Sequence, residues 1–254
     1  MGTRTEHAAG TFSWVDLTTR DGAAAKQFYG ALFGWEFDDS EVPGGGVYTM
    51  CRLGDAMVAA ISPTTEEMPP HWNNYVTVES ADEAAAKAKE LGGTAVMEPF
   101  DVMEAGRMAV LQDPTGAMLC VWEPRDAIGA TRVNDPGSLT WNELHTPDPG
   151  RALEFYTGLF GWNTEEMPSD EGGVAYTIVK VGERSNGGVM SAQQGEPPNW
   201  LPYFTVESRD GAAEKAKGLG ATELFRIEMQ MGKIAVFADP EGAAFAVFEG
   251  DVDD

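Results

Sequence analysis

An α+β fold made of four copies of one strand–helix–strand–strand–strand unit is what this 254-residue sequence predicts. Three observations predict it. First, the chain repeats itself at a nearly constant offset. Trp14 answers Trp141, Asp21 answers Asp148 and "FGW" at 33–35 answers "FGW" at 160–162, each 127 residues on. "YVTVES" at 75–80 returns as "YFTVES" at 203–208, and "VLQDPTGAMLCVWE" returns as "VFADPEGAAFAVFE", with slips of a single residue. Second, each half holds two junctions at which a β-prone run meets a helix cap. Third, every helical run is followed by short β-prone runs punctuated by glycine.

The elements follow in order. In "SWVDLTTRDGAAAKQFYGALFGW" an alternating strand runs to Asp21, whose carboxylate suits a helix N-cap, and Gly34 stops the helix. Phe28, Leu32 and Phe33 fall at helical spacing and are read as core. The second unit, "NYVTVESADEAAAKAKELGG", is again strand then helix, with Ser80 and Glu83 spaced as a capping box and Gly92 or Gly93 as the stop. The third unit opens on "SLTWNELHTPDPGRALEFYTGLFGW", with Asp148 as cap and Pro149 at the first helical position. The fourth, "YFTVESRDGAAEKAKGLGA", repeats the second. The later strands are read in runs such as "VYTMCRLGDAMVAAIS" and "GRMAVLQDPTGAMLCVWE". Two domains are expected, 11–124 and 138–250, joined by a polar, Gly/Pro-bearing linker at 125–137.

Composition narrows the function. Asp and Glu number 41 against 17 Lys and Arg, a formal charge of −24 that repels phosphate backbones and anionic lipid, so neither nucleic acid nor membrane is expected as a partner. No apolar run is long enough to span a bilayer. "MGTRTEHAAG" lacks the apolar core of a signal peptide, and the two cysteines, Cys51 and Cys120, make no disulfide framework. The expectation is a cytoplasmic protein, monomer or homodimer, acting on a small molecule.

With these residues, the plan resembles the vicinal oxygen chelate superfamily, which includes glyoxalase I, bleomycin-resistance proteins and extradiol dioxygenases. The resemblance covers about residues 11 to 250. It rests on "FYGALFGW" and "FYTGLFGW", the "TVES" junctions, and "DPTGAMLCVWE" and "DPEGAAFAVFE". It implies that two units pair into a half-open, eight-stranded barrel around a cavity, so that this chain holds two. The full tandem is similar to actinobacterial two-domain proteins labelled glyoxalase-like or "hydroxylase".

The resemblance also implies where a divalent ion would sit. Counted onto this chain, the ligand positions of the first strands are Trp14, Asn73, Trp141 and Leu201, and those of the last strands are Cys120 and Ala246. None is His, Asp or Glu, and a register error of one would turn the strand face outward. The three histidines cannot furnish two His/His/Glu sites, His7 being placed in a fraying tail and His71 in a loop. The expectation is therefore no metal and no cofactor.

What remains is an aromatic cavity in each half. Trp14, Asp16 and Thr18 share one strand face, and Trp141, Glu143 and His145 share its counterpart. Asn73, Tyr75 and Tyr203 are expected to face them, Trp72 and Trp200 to stand at the cavity mouths, and Cys120 and Met118 to add to the first lining. Further methionines in the late strands suit an adaptable pocket for a bulky, flat ligand.

An imidazole beside a carboxylate is a plausible acid/base pair, so His145, Glu143 and, in the other half, Asp16 are the catalytic candidates. Only the second half shows such a pair in sequence, and it is expected to hold the working site. Three functions compete: metal-independent isomerase, cyclase, hydratase or lyase chemistry on an aromatic or polyketide-like metabolite; sequestration of a toxic or antibiotic small molecule; and glyoxalase-like lyase or dioxygenase chemistry with a displaced ion at Glu143 and His145, which would need a third ligand from elsewhere.

Overall fold

Caps set the helices. In a computed structural model, which describes residues 2–42, 46–64, 68–167, 175–229 and 231–252, Asp21 accepts from the Ala23 and Ala24 amides at the head of α1 (Gly22–Phe33), and Gly34 closes it at φ +77°. Asp148 accepts from the Arg151 amide ahead of α3 (Pro149–Phe160), and Gly161 ends it at φ +71°. Ser80 and Ser208 cap α2 (Ala81–Glu90) and α4 (Arg209–Gly218). The cap residue closing α2 is Leu91, and Gly92 follows with φ +87°. The left-handed residue thus stands just beyond the cap, where a side chain would be strained.

The strands form one eight-stranded sheet per domain. In the first domain they are β1 (Phe12–Thr19), β2 (Glu36–Glu41), β3 (Val47–Leu53), β4 (Ala56–Pro63), β5 (His71–Thr77), β6 (Thr94–Val102), β7 (Gly106–Gln112) and β8 (Met118–Pro124). The second domain has β9 (Leu139–Thr146), β10 (Asn163–Met167), β11 (Tyr176–Val181) and β12 (Arg184–Ser191). It continues with β13 (Asn199–Thr205), β14 (Thr222–Met229), β15 (Gly232–Ala238) and β16 (Ala244–Glu249). The order is β2-β3-β4-β1-β5-β8-β7-β6, repeated as β10-β11-β12-β9-β13-β16-β15-β14. The two units of a domain join through their first strands, antiparallel in both domains, while β1 runs parallel to β4 and β5 to β8. Among the described residues no ladder joins β2 to β6, so each sheet is an open cup and not a closed barrel.

Helices cover one face of each sheet, and those faces meet. Phe33, Trp35 and Trp72 of the first domain pack with Phe204, Phe237 and Phe245 of the second in one cluster. Phe12 packs between Trp162 and Trp200, with ring centroids 5.6 and 4.9 Å away. Burying each such ring contributes roughly 1.5–3 kcal/mol, and because the core is shared, neither domain completes its own. Polar links cross the same seam. Trp72 Nε1 donates to the Tyr29 hydroxyl (3.3 Å), which donates to Asp239 Oδ2 (2.9 Å). Trp200 Nε1 likewise donates to Tyr156 (2.9 Å), which lies beside Asp113. The "FY" and "DP" motifs of opposite domains therefore hold each other.

This corrects the expectation for Trp72 and Trp200. They are 6% and 3% exposed and lie in the core between the domains, not at cavity mouths. Each is one residue from a cup-facing position, and strand alternation turns it to the helical side. His7 is not in a fraying tail either: its Nε2 lies 2.7 Å from the Ala130 carbonyl, and Arg4 donates through its amide to Thr131. Residues 125–137 are more than a tether, because Ala130 and Val133 are buried against Trp14, Tyr75 and Cys120 on the concave side of the first sheet. No helix among the described residues is long and apolar enough to cross a membrane.

Candidate functional site

The two cups share a frame. On the concave face of the first, Trp14 stands opposite Tyr75 and Asp16 opposite Asn73. In the second, Trp141 stands opposite Tyr203 and Glu143 opposite Leu201. A tyrosine absent from the sequence reading completes each frame. The Tyr48 hydroxyl receives the Trp14 indole N–H at 3.4 Å, and the Tyr176 hydroxyl receives that of Trp141 at 2.9 Å. Both come from the first strand of a hairpin, as "VYT" and "AYT", and their offset of 128 is the signal that could have found them.

The first cup is closed upon itself. Asp16, 4% exposed, accepts from Asn73 (2.7 Å) on one oxygen and from Tyr75 (2.7 Å) and Tyr48 (3.3 Å) on the other. Burial pushes its carboxyl above the usual aspartate range, and these hydrogen bonds offset that only in part. The 125–137 segment fills the space over Trp14 and Cys120. Burial also raises the Cys120 thiol, which keeps it protonated and unreactive. Met118 shares the face of Cys120 but is 39% exposed. His71, expected in a loop, opens β5 opposite Thr18, so the first half also has an imidazole near its carboxylate. Its Nδ1, however, lies 2.8 Å from the Pro69 carbonyl.

In the second cup the corresponding groups form a hydrogen-bonded chain that runs from the buried Tyr203 and Glu143 to the half-buried His145 and Glu196. Glu143 Oε1 accepts from the Tyr203 hydroxyl (2.7 Å) and lies 2.8 Å from His145 Nε2. His145 Nδ1 lies 2.6 Å from Glu196 Oε1, and Glu196 Oε2 accepts from the Gln193 amide. Glu196, the other residue the sequence reading missed, comes from the connection between β12 and β13. Only the fold brings it within reach of a strand fifty residues earlier. Burial pulls the His145 pKa down, but hydrogen bonds and charge from Glu143 and Glu196 more than offset this and leave it above the usual histidine value. Burial pushes Glu196 up, while the Gln193 amide and the imidazole hold it below the usual glutamate range. The two carboxylates therefore favour the protonated form of the imidazole between them. Around it the walls are apolar: Leu201, Ile234, Val236, Ala246 and Phe248.

Two domain models match this chain. The Glyoxalase/Bleomycin resistance protein/Dioxygenase superfamily matches residues 11–121, and a Glyoxalase-like domain matches residues 138–248. The chain is 42% identical to CFP32 of Mycobacterium tuberculosis (strain CDC 1551 / Oshkosh), named as a candidate glyoxylase, over 98% of both chains.

The chain belongs to the glyoxalase/bleomycin resistance protein/dioxygenase superfamily.

It is also 32% identical to the anthracycline biosynthesis protein DnrV of Streptomyces peucetius, covering 96% of this chain and 95% of that one. Among solved structures, the Mn(II)-bound glyoxalase of Novosphingobium aromaticivorans superposes with a TM-score of 0.69 at 16% identity, over 95% of this chain and 82% of that one. The 2,3-dioxygenase LapB of Pseudomonas sp. KL28 gives 0.69 at 13% identity, over 97% and 96%. These two likenesses show the shared superfamily fold.

The residues present do not fit the ion this superfamily commonly holds. Alongside Trp141, Leu201 and Ala246, the register places Gly188 next to Glu143 on the remaining inner strand. A Cβ at Gly188 would come within 1.9 Å of the Tyr176 hydroxyl oxygen, so a phenol occupies the space into which a ligand from that strand would project. In the first cup the matching neighbour of Asp16 is Ala60. The displaced alternative fits no better: His145 turns one nitrogen to each glutamate, so the two carboxylates lie on opposite sides of the ring and do not converge. Among the described residues no group of three or more His, Cys, Asp or Glu is arranged to hold an ion.

Proposed function

We propose that the cup of the second domain binds a small, flat, aromatic or polyketide-like metabolite without a metal and transforms it by proton transfer. Isomerisation, cyclisation, hydration or elimination would each fit. The observation that carries this reading is the hydrogen-bonded series Tyr203–Glu143–His145–Glu196, set on an apolar wall in place of metal ligands. An apolar cleft with a few convergent polar groups is what a small organic ligand needs. In the proposed reaction Glu143 accepts a proton from a carbon beside a carbonyl. His145 holds that carboxylate by one ring nitrogen and offers the other N–H to the oxygen on which charge develops. Tyr176 and Trp141 form the platform for the ring system. The relationship to DnrV supports a polycyclic substrate by analogy.

Asp16 is assigned a structural part, because the 125–137 segment covers its cup. A second reading, sequestration without turnover, is favoured by one observation: both nitrogens of His145 are engaged by carboxylates, leaving neither free to act as a base.

The test is native mass spectrometry and product analysis of the untagged protein with a series of hydroxyanthraquinones, with and without chelator. One ligand per chain is expected, retained under chelation and lost in Trp141→Leu. A new product lost in His145→Gln marks an enzyme, and its absence marks a binder. Binding that needs added metal ion, or that survives Trp141→Leu, removes the reading.

A further inference from the structure

Glu196 and Glu143 flank one imidazole but are held very differently. Glu143 lies within β9 and is fixed by Tyr203, with 9% of its side chain exposed. Glu196 lies in the 192–198 connection, and 28% of its side chain is exposed. Its supports are the Gln193 amide of the same turn, His145, and the side chain of Asn199. Of the two carboxylates, it is the one that can leave without disturbing the sheet.

What can replace it is set by charge. The set of Glu143, His145 and Glu196 carries one net negative charge when the imidazole is protonated. Removing Glu196 with nothing in its place leaves an N–H without its acceptor at the edge of an apolar wall, and that is costly. A neutral ligand regains little of this loss. A ligand with an ionised oxygen restores both hydrogen bond and charge, so the exchange is close to balanced and the apolar contacts of the ring system decide it. Resting on the proposed aromatic-binding role of this cup, we propose that Glu196 is a resident stand-in for the ligand: the second cup takes aromatic molecules bearing an ionised enol, phenol or carboxyl oxygen. That oxygen displaces the Glu196 carboxylate from His145 Nδ1 and frees the 192–198 connection.

The connection is placed to report this exchange. The Pro198 ring lies 3.6 Å from where a Cβ on Gly116 of the first domain would stand, and Thr146 and Thr115 share a 2.8 Å hydrogen bond beside it. Release of Glu196 therefore loosens the second cup's rim where it touches the first domain's "DPTG" turn. The groups that face the imidazole from the surrounding elements are Glu143 on its own strand, Glu196 and Asn199 beside the ring, and Tyr176 and Tyr203 beyond Glu143.

The experiment is calorimetric titration with a matched pair, 2-hydroxy-1,4-naphthoquinone, ionised at neutral pH, and its neutral ether 2-methoxy-1,4-naphthoquinone. Wild-type protein is expected to prefer the ionised member. Glu196→Gln should bind it about tenfold more tightly still, the worth of removing one competing hydrogen bond to a charged group, with the ether unchanged. His145→Gln should lose the preference, and Trp141→Leu should lose both ligands. Equal affinity for the two, unaltered in Glu196→Gln, overturns the exchange while leaving aromatic binding intact. Binding retained in Trp141→Leu places the ligand elsewhere and overturns it as well. Failure of wild type and Glu196→Gln to bind either compound overturns both this inference and the reading beneath it.

Discussion

Removing one hydroxyl from the first cup tests whether its carboxylate is structural. In Tyr75→Phe, Asp16 Oδ2 loses its 2.7 Å donor and keeps only Tyr48 at 3.3 Å, while the other oxygen keeps Asn73. The ring stays and no cavity opens, so the cost is that of one hydrogen bond to a buried charge, about 1.5–3 kcal/mol. With a urea slope of about 3 kcal/mol/M for a chain of this size, the midpoint should fall by roughly 0.5–1 M at pH 7.5. The pH dependence adds a sharper test. Because burial raises the Asp16 pKa in the folded state, its contribution is most favourable below the unfolded value and is lost as pH rises through the folded one. Losing a donor raises that pKa further. As pH falls and the carboxyl takes up its proton, the lost bond is worth less, about 0.5–1.5 kcal/mol, so the variant should recover part of the deficit. The assay is urea unfolding followed by tryptophan fluorescence at pH 7.5 and pH 5. A midpoint shift below about 0.2 M at pH 7.5, or a larger deficit at pH 5, would refute the assignment.

Two further outcomes follow from the second cup. His145 should titrate above the ordinary histidine value of about 6.5 and His7 below it, the first raised by two carboxylates against burial and the second lowered by burial. The stability His145 contributes is then full below the unfolded value and lost as pH rises through the folded one; a histidine NMR titration with His145→Gln as the assignment control reads both, and a His145 value below His7 would contradict it. In Gly188→Ala the new methyl must push Tyr176 away, breaking its bond to Trp141. Overpacking of this kind costs about 1–3 kcal/mol, and aromatic-ligand affinity should fall at least about tenfold; full affinity would show that the Tyr176–Trp141 platform is not used.

The residues settled a good deal before any coordinates. The repeats, the "TVES" junctions and the Asp-Pro turns were enough for the fold, because caps, glycine stops and strand alternation act over a few residues and leave their marks in place. The same alternation put Glu143 and His145 on one face, where they meet at 2.8 Å. It should also have sent Trp72 and Trp200 to the other face, since each adjoins a residue that faces the cup. Their core packing depends on the partner domain, which supplies Phe204 to one and Phe12 to the other.

What only the tertiary structure decided is which cup can be reached and what completes it. Glu196 reaches His145 across fifty residues of chain, Tyr48 and Tyr176 arrive from a hairpin two strands away, and residues 125–137 fold back onto the first sheet. None of these has a local period or cap to announce it. Each is fixed by the curl of a sheet and the path of a connection, which are properties of the whole domain and not of any short window of sequence.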